Sequence, residues 1–143
     1  MDEDRLRRYC DKINLISKRN DEIQEWIDIP PEDFVKDEKT KLATYKAFQE
    51  IVEACMDIIA MMCKDSKIPP KDDYTNIELL GSKIPFNNAR KILIEANGLR
   101  NRLVRRYNST DNKRAFESIR EILPGILNVV EGVKKWIRET LKE

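Results

Sequence analysis

Across Leu99-Arg100-Asn101-Arg102-Leu103-Val104-Arg105-Arg106-Tyr107, four arginines fall within seven positions and no acid interrupts them. Charge gathered this closely repels itself, and an anion held among the guanidinium groups would offset the repulsion. Planar guanidinium forks grip phosphate oxygens two at a time, so phosphate is the anion this residue type suits. The one aromatic in the stretch, Tyr107, is thin provision for stacking bases. A blander reading stands beside this one. The chain has 26 acidic residues, and an arginine-rich helix among so many acids is often a solvated, salt-bridged face. Spacing alone leaves both open.

The sequence contains no histidine, which removes His-based zinc sites and any histidine general base. Its three cysteines, Cys10, Cys55 and Cys63, are odd in number and form no C-x-x-C. Eight residues along one helix place Cys55 and Cys63 about 12 Å apart, too far for a bridge. All three are expected to be buried free thiols, and no metal or cofactor is expected.

Positioning these groups falls to helices. The 143 residues suit one domain, 1–143, and only four are glycine. A net charge of +1 means that any anion site is a local patch. The charged fraction of 37% with two glutamines suggests a heat-adapted source rich in ion pairs. No apolar run approaches the roughly 20 residues of a membrane span, and Met1-Asp2-Glu3-Asp4 is no signal peptide, so a cytoplasmic protein is expected.

Leu6, Cys10, Ile13, Ile16, Ile23 and Ile27 recur at helical spacing and predict a helix over 3–27, stopped by Pro30-Pro31. A second helix is predicted over 36–64. Its apolar residues, from Leu42 to Met62, are too broadly spread for one stripe, which implies cover on two sides by another helix or another subunit. Ile68-Pro69-Pro70 reads as a loop, 74–80 as a short helix ended by Gly81, and Pro85 as the opening of the next helix, which should end near Tyr107. Asn108-Ser109-Thr110-Asp111 reads as a turn that supplies the N-cap of a last helix over 112–141, with a kink or break at Pro124-Gly125. The prediction is an all-α antiparallel bundle of four long helices plus one short helix.

On the fourth helix, Ile92, Ala96, Leu99 and Leu103 define the side toward the core, at about 100° per residue. Asn101 and Arg105 lie together nearly opposite, and Arg100 and Tyr107 share a flank. Leu93, Ile94 and Val104 fall among these polar groups. Apolar and cationic residues mixed on an outward face suggest a dimer interface bordering a basic cleft.

The string Gly98 to Tyr107, followed by Asp111, resembles the R-N-x-L-x-H-x-Y motif of the HEPN superfamily, and within it the HepT-like toxins. The resemblance runs along nearly the whole chain, including Phe48-Gln49 and Glu53-Ala54-Cys55-Met56-Asp57-Ile58 on the second helix. It implies a homodimeric, metal-independent endoribonuclease with RNA as substrate and a minimal nucleotidyltransferase (MNT) antitoxin as partner. It also implies that Arg100 holds the scissile phosphate, with Asn101 in support. Arg102, Arg105 and Arg106 would bind phosphate alongside, and Tyr107 would accept AMP from the nucleotidyltransferase. Asp57 would be a polar neighbour on the second helix.

One position departs. Arg105 stands where the family has histidine, and arginine, with a pKa above about 12, cannot serve as a base. Tyr107, Asp57 or Glu53 is chemically able to carry a proton instead, but nothing in the sequence positions them. Three readings remain: an HEPN ribonuclease toxin with impaired activity, a non-catalytic HEPN binding subunit for a nucleotidyltransferase, and an unrelated charged bundle.

Overall fold

The computed structural model describes residues 1–81 and 88–142. The described residues form six α-helices: α1 (Glu3–Trp26), α2 (Pro31–Lys36), α3 (Glu38–Asp65), α4 (Asp73–Leu80), α5 (Ala89–Arg105) and α6 (Asn112–Leu141). A 3-10 turn, Tyr107–Ser109, joins α5 to α6, and the described residues include no strand. The four long helices are the predicted ones. Ion pairs fix their directions: Arg5–Asp65, Lys12–Asp57 and Arg19–Glu50 run α1 antiparallel to α3. The expected opening of the fourth helix at Pro85 lies outside the described residues.

Aspartates open four of the helices. Asp2, Asp37, Asp72 and Asp111 each accept from the amide three residues on, at 2.7 to 3.1 Å. Such a cap contributes about 1 kcal/mol. The helix α2 was invisible to periodicity because six residues hold less than two turns. Pro31 at its first position starts it, and the buried Phe34 pins it at 4.8 Å from Phe116 and 5.9 Å from Tyr45, measured between ring centres.

The breadth of apolar residues on α3 is satisfied within the chain, with α1 on one side and α4 and α5 on the other. Leu42, read as apolar lining, is exposed instead. On α1 the core position belongs to Tyr9, and Cys10 is exposed, a correction to its expected burial; Cys55 and Cys63 are buried. Taking Ile13 as the centre of the stripe, Tyr9 falls about 40° from it, whereas Cys10 falls about 60° away on the other side from Ile16.

Of the kink or break expected at Pro124, the break is corrected: α6 runs through it for 30 residues. Pro124 and Arg120 are both exposed. The Arg120 carbonyl, which loses its amide partner to the proline ring, can therefore be hydrated. At Gly125 an added Cβ would stand 2.7 Å from the Ile92 Cδ1, so glycine is what lets α5 close on α6.

One interior hydroxyl goes unused. The Thr44 Oγ1 is fully buried on α3 with no hydrogen-bond partner among the described residues. Thr44→Val keeps the shape and removes the stranded group, so it should stabilise the fold by about 1 kcal/mol in urea unfolding. A loss of stability would mean that the hydroxyl has a partner after all.

Candidate functional site

Leu99 and Leu103 are buried and orient the end of α5. The arginines around them then point in different directions, and the sequence's single cluster becomes two separate groups. Arg100 turns toward α3 and α4. Its side chain is only 14% exposed, with Nη1 3.5 Å from the Glu53 Oε1 and Nη2 3.3 Å from the Asp73 Oδ2. Nη2 also donates to the Oδ1 of the buried Asn97 at 2.5 Å. Gln49 donates to the same Glu53 oxygen at 2.9 Å. The Arg100 Nε is buried without a partner among the described residues. One cation thus faces two carboxylates.

Asp73 reaches this place because the loop before α4 is tied down. Asn76, buried on α4, accepts from the Lys71 amide at 2.6 Å and donates to the Lys71 carbonyl at 3.1 Å. Pro69 and Pro70 restrict the chain just ahead, and Asp72 caps the helix.

The second-helix neighbour of Arg100 is Glu53, not Asp57. One turn further along α3, Asp57 is exposed and pairs with Lys12 of α1 at 2.8 Å. Four residues rotate a side chain by about 40° and shift it by about 6 Å, enough to exchange one neighbouring helix for another. Asn101 is half-buried. Leu93, expected on the outward face, is fully buried; Val104, 51% exposed, and the half-buried Ile94 remain there. Sequence reasoning missed Asp73 and Asn97. Asn97 had a signal, since it lies three residues before Arg100 on the same flank; Asp73 had none without the fold.

The helix α5 ends at Arg105, two residues short of the expected boundary, and Tyr107 sits in the 3-10 turn beyond it. The Tyr107 hydroxyl donates to the Glu38 Oε1 at 2.5 Å, and the Glu38 Oε2 pairs with Lys41 at 2.9 Å. The Tyr107 ring meets that of Tyr45 edge-on at 6.0 Å, and the Tyr45 hydroxyl donates to Asn112 at 2.7 Å. Bonding to Glu38 pushes the Tyr107 hydroxyl up to about 12. The bond from Tyr107, followed by that from Lys41, holds Glu38 below the usual carboxylate range.

The signs follow from linkage. Tyr107 contributes stability that is complete below its ordinary pKa near 10 and is lost as pH rises through about 12. Glu38 contributes stability present above the ordinary carboxylate pKa and lost as pH falls through its lowered value. Glu38→Gln should return Tyr107 toward 10 in a titration followed by tyrosinate absorbance. An unmoved titration would mean that Glu38 does not hold the phenol.

Arg102 and Arg106 occupy the opposite flank of α5, in a cleft of about 380 Å³ against the start of α6. Arg105, the last residue of α5, is exposed. Among the described residues no three His, Cys, Asp or Glu side chains are grouped to hold a metal, and no helix is long and apolar enough to cross a membrane.

This architecture has known relatives. The family model for ribonuclease HepT-like proteins matches residues 16–133. The chain is 34% identical over 134 residues to a candidate RNase of Archaeoglobus fulgidus, spanning 91% of this chain and 93% of that one. It is 30% identical over 112 residues to the tRNA nuclease HepT of Aphanizomenon flos-aquae, spanning 76% and 75%. Its fold superposes on the tri-AMPylated Shewanella oneidensis HEPN toxin, solved in complex with MNT antitoxin, with a TM-score of 0.81 at 19% identity, over 94% of this chain and 99% of that one. With the family model matched across most of its length and its helices in the HEPN toxin arrangement, this chain belongs to the ribonuclease HepT-like family.

Proposed function

We propose that this chain is the toxin of a HEPN/MNT toxin–antitoxin pair, a single-domain, homodimeric endoribonuclease that needs no metal ion and is impaired by arginine at position 105. The observation that carries this reading is the Arg100, Asn101 and Tyr107 string at the end of α5, in a chain 30% identical to a tRNA nuclease. Arg100 would stabilise charge on the phosphate as the ribose 2′-oxygen attacks, with Asn101 supporting it. Arg105 is able to bind phosphate but not to take the 2′-hydroxyl proton. Tyr107 would accept AMP from the nucleotidyltransferase. The outward Val104 suits a dimer contact beside these groups.

A second reading, a non-catalytic subunit that binds the nucleotidyltransferase, is favoured by two particular features. Arg100 is neutralised by Glu53 and Asp73, and Arg105 replaces the proton carrier. Two assays separate the readings. The purified protein is incubated with tRNA and total RNA in EDTA, beside Arg100→Ala. It is also incubated with a HEPN-associated nucleotidyltransferase and ATP, and Tyr107 is followed by mass spectrometry. Cleavage abolished by Arg100→Ala supports the ribonuclease. AMP on Tyr107 without cleavage supports the binding subunit. Neither signal would sink both.

A further inference from the structure

Two cations that no acid neutralises, Arg102 of α5 and Arg106 just beyond its end, lie on the α6 side. Arg102 and Arg106 are joined in the cleft by Arg114 of α6, a residue that neither the motif nor its spacing singled out. All three are exposed, and none forms an ion pair among the described residues. One carboxylate lines the cleft, that of Asp111, whose Oδ1 accepts from the Arg114 amide at 3.1 Å. The side chains therefore sum to two positive charges here, against one negative at Arg100, Glu53 and Asp73. An incoming phosphate is drawn to the α6 side first. Ser109 and Thr110 steady the turn by donating to the Arg106 carbonyl at 3.3 and 2.7 Å.

The cleft continues into a second hollow of about 530 Å³ between α4, α5 and α6, and Arg102 and Ser118 line both. Its walls are of different character: Tyr74, Ile92, Ile94 and Ile122, with Glu95 and Glu121. The two acids repel phosphate from this hollow, while the apolar wall and the exposed Tyr74 ring suit an uncharged planar group. Gly98 lines the passage between Arg102 and Tyr74. A Cβ there would stand 3.7 Å from the Arg102 Nη1 and 4.0 Å from the Tyr74 hydroxyl. Phosphate on one side and a planar base on the other is the chemistry of a nucleotide.

We propose that this groove binds single-stranded RNA, with backbone phosphate among Arg102, Arg106 and Arg114 and one base against Tyr74. The inference rests on the RNA reading above and adds to it a binding track on the flank of α5 away from Arg100.

Fluorescence anisotropy of the full chain with a labelled single-stranded RNA oligonucleotide, titrated with salt, tests it. Arg114→Ala should weaken binding and reduce the salt slope by about 0.7, the share of one phosphate contact on a single strand. Arg114→Lys should restore most of that slope. Tyr74→Ala should weaken binding about 5-fold or more, and Tyr74→Phe should not, because the stacking face survives. Arg7→Glu, an exposed charge reversal on α1, serves as the control, with thermal melts to check that each variant folds. Equal losses in Arg114→Glu and Arg7→Glu would mean general charge attraction and overturn the groove. Binding that ignores Arg114 and Tyr74 would do the same while leaving the ribonuclease reading intact. Displacement of RNA by inorganic phosphate, with no dependence on Tyr74, would make this a free-phosphate site and overturn the RNA assignment. An oligonucleotide that neither binds nor is cut would remove the RNA reading itself.

Discussion

Arg105→His should raise the rate of RNA cleavage by roughly 10²–10⁴, the usual contribution of a positioned general acid–base. Arginine stays protonated far above neutral pH, whereas imidazole both accepts and donates a proton near it. Arg105 is exposed at the last position of α5, so the substitution disturbs no packing and should change stability by no more than about 0.5 kcal/mol. Initial rates are measured in EDTA for both forms, each with and without Arg100→Ala. A gain in the histidine form that disappears with Arg100→Ala makes the protein a ribonuclease disarmed at one residue. Equal rates in the two forms would defeat the proton-transfer argument. The base would then be sought at Glu53, the α3 carboxylate beside Arg100. Silence from all four would favour the binding subunit.

The long helices were legible because burial writes a period of 3.6 into a chain that packs one face inward. Phe116, Ile119, Leu123, Ile126, Val130, Val133 and Ile137 on α6 are all buried as that period predicts, while Leu141, the last residue of the same predicted face, is exposed at the helix end. Short-range signals fared unevenly. The turn ending at Asp111 marked the start of α6 correctly, yet α2 carried too few residues to show a period, and Pro124 broke nothing because its face is open to water. Family resemblance pointed to one stretch of α5 for the site. It gave no account of where each guanidinium goes, because that depends on which helix lies across each flank. Arg100 meets α3 and α4, while Arg102 and Arg106 face α6. The choice of Asp57 over Glu53 failed for the same reason: an acid's position on α3 has no meaning until α1 and α5 are placed on either side of it.

Arg100 therefore starts from a neutralised state, and releasing it should be measurable. Asp73→Asn takes the local sum from minus one to zero, and adding Glu53→Gln takes it to plus one. A unit charge about 6 Å from a bound phosphate is worth roughly 0.7–2.8 kcal/mol for an effective dielectric between 80 and 20. Both carboxylates are more than 40% exposed, so the lower half of that range applies. Each substitution should tighten RNA binding about 3- to 10-fold at low salt, and the pair roughly 10- to 50-fold, with the gain shrinking as salt is raised. The fold should lose little, because Arg100 keeps its bond to Asn97. Asp57→Asn makes the same change of charge one turn along α3, but there it leaves Lys12 unpaired. Being farther from Arg100, it should have less effect than Glu53→Gln, and an equal effect would mean that net charge alone governs RNA affinity. Weaker binding in Asp73→Asn would reverse the argument: the two carboxylates would then be holding the guanidinium in the orientation that receives the phosphate. In that case kcat should fall along with affinity, whereas simple release from neutralisation improves binding and leaves the proton-transfer step limited by Arg105.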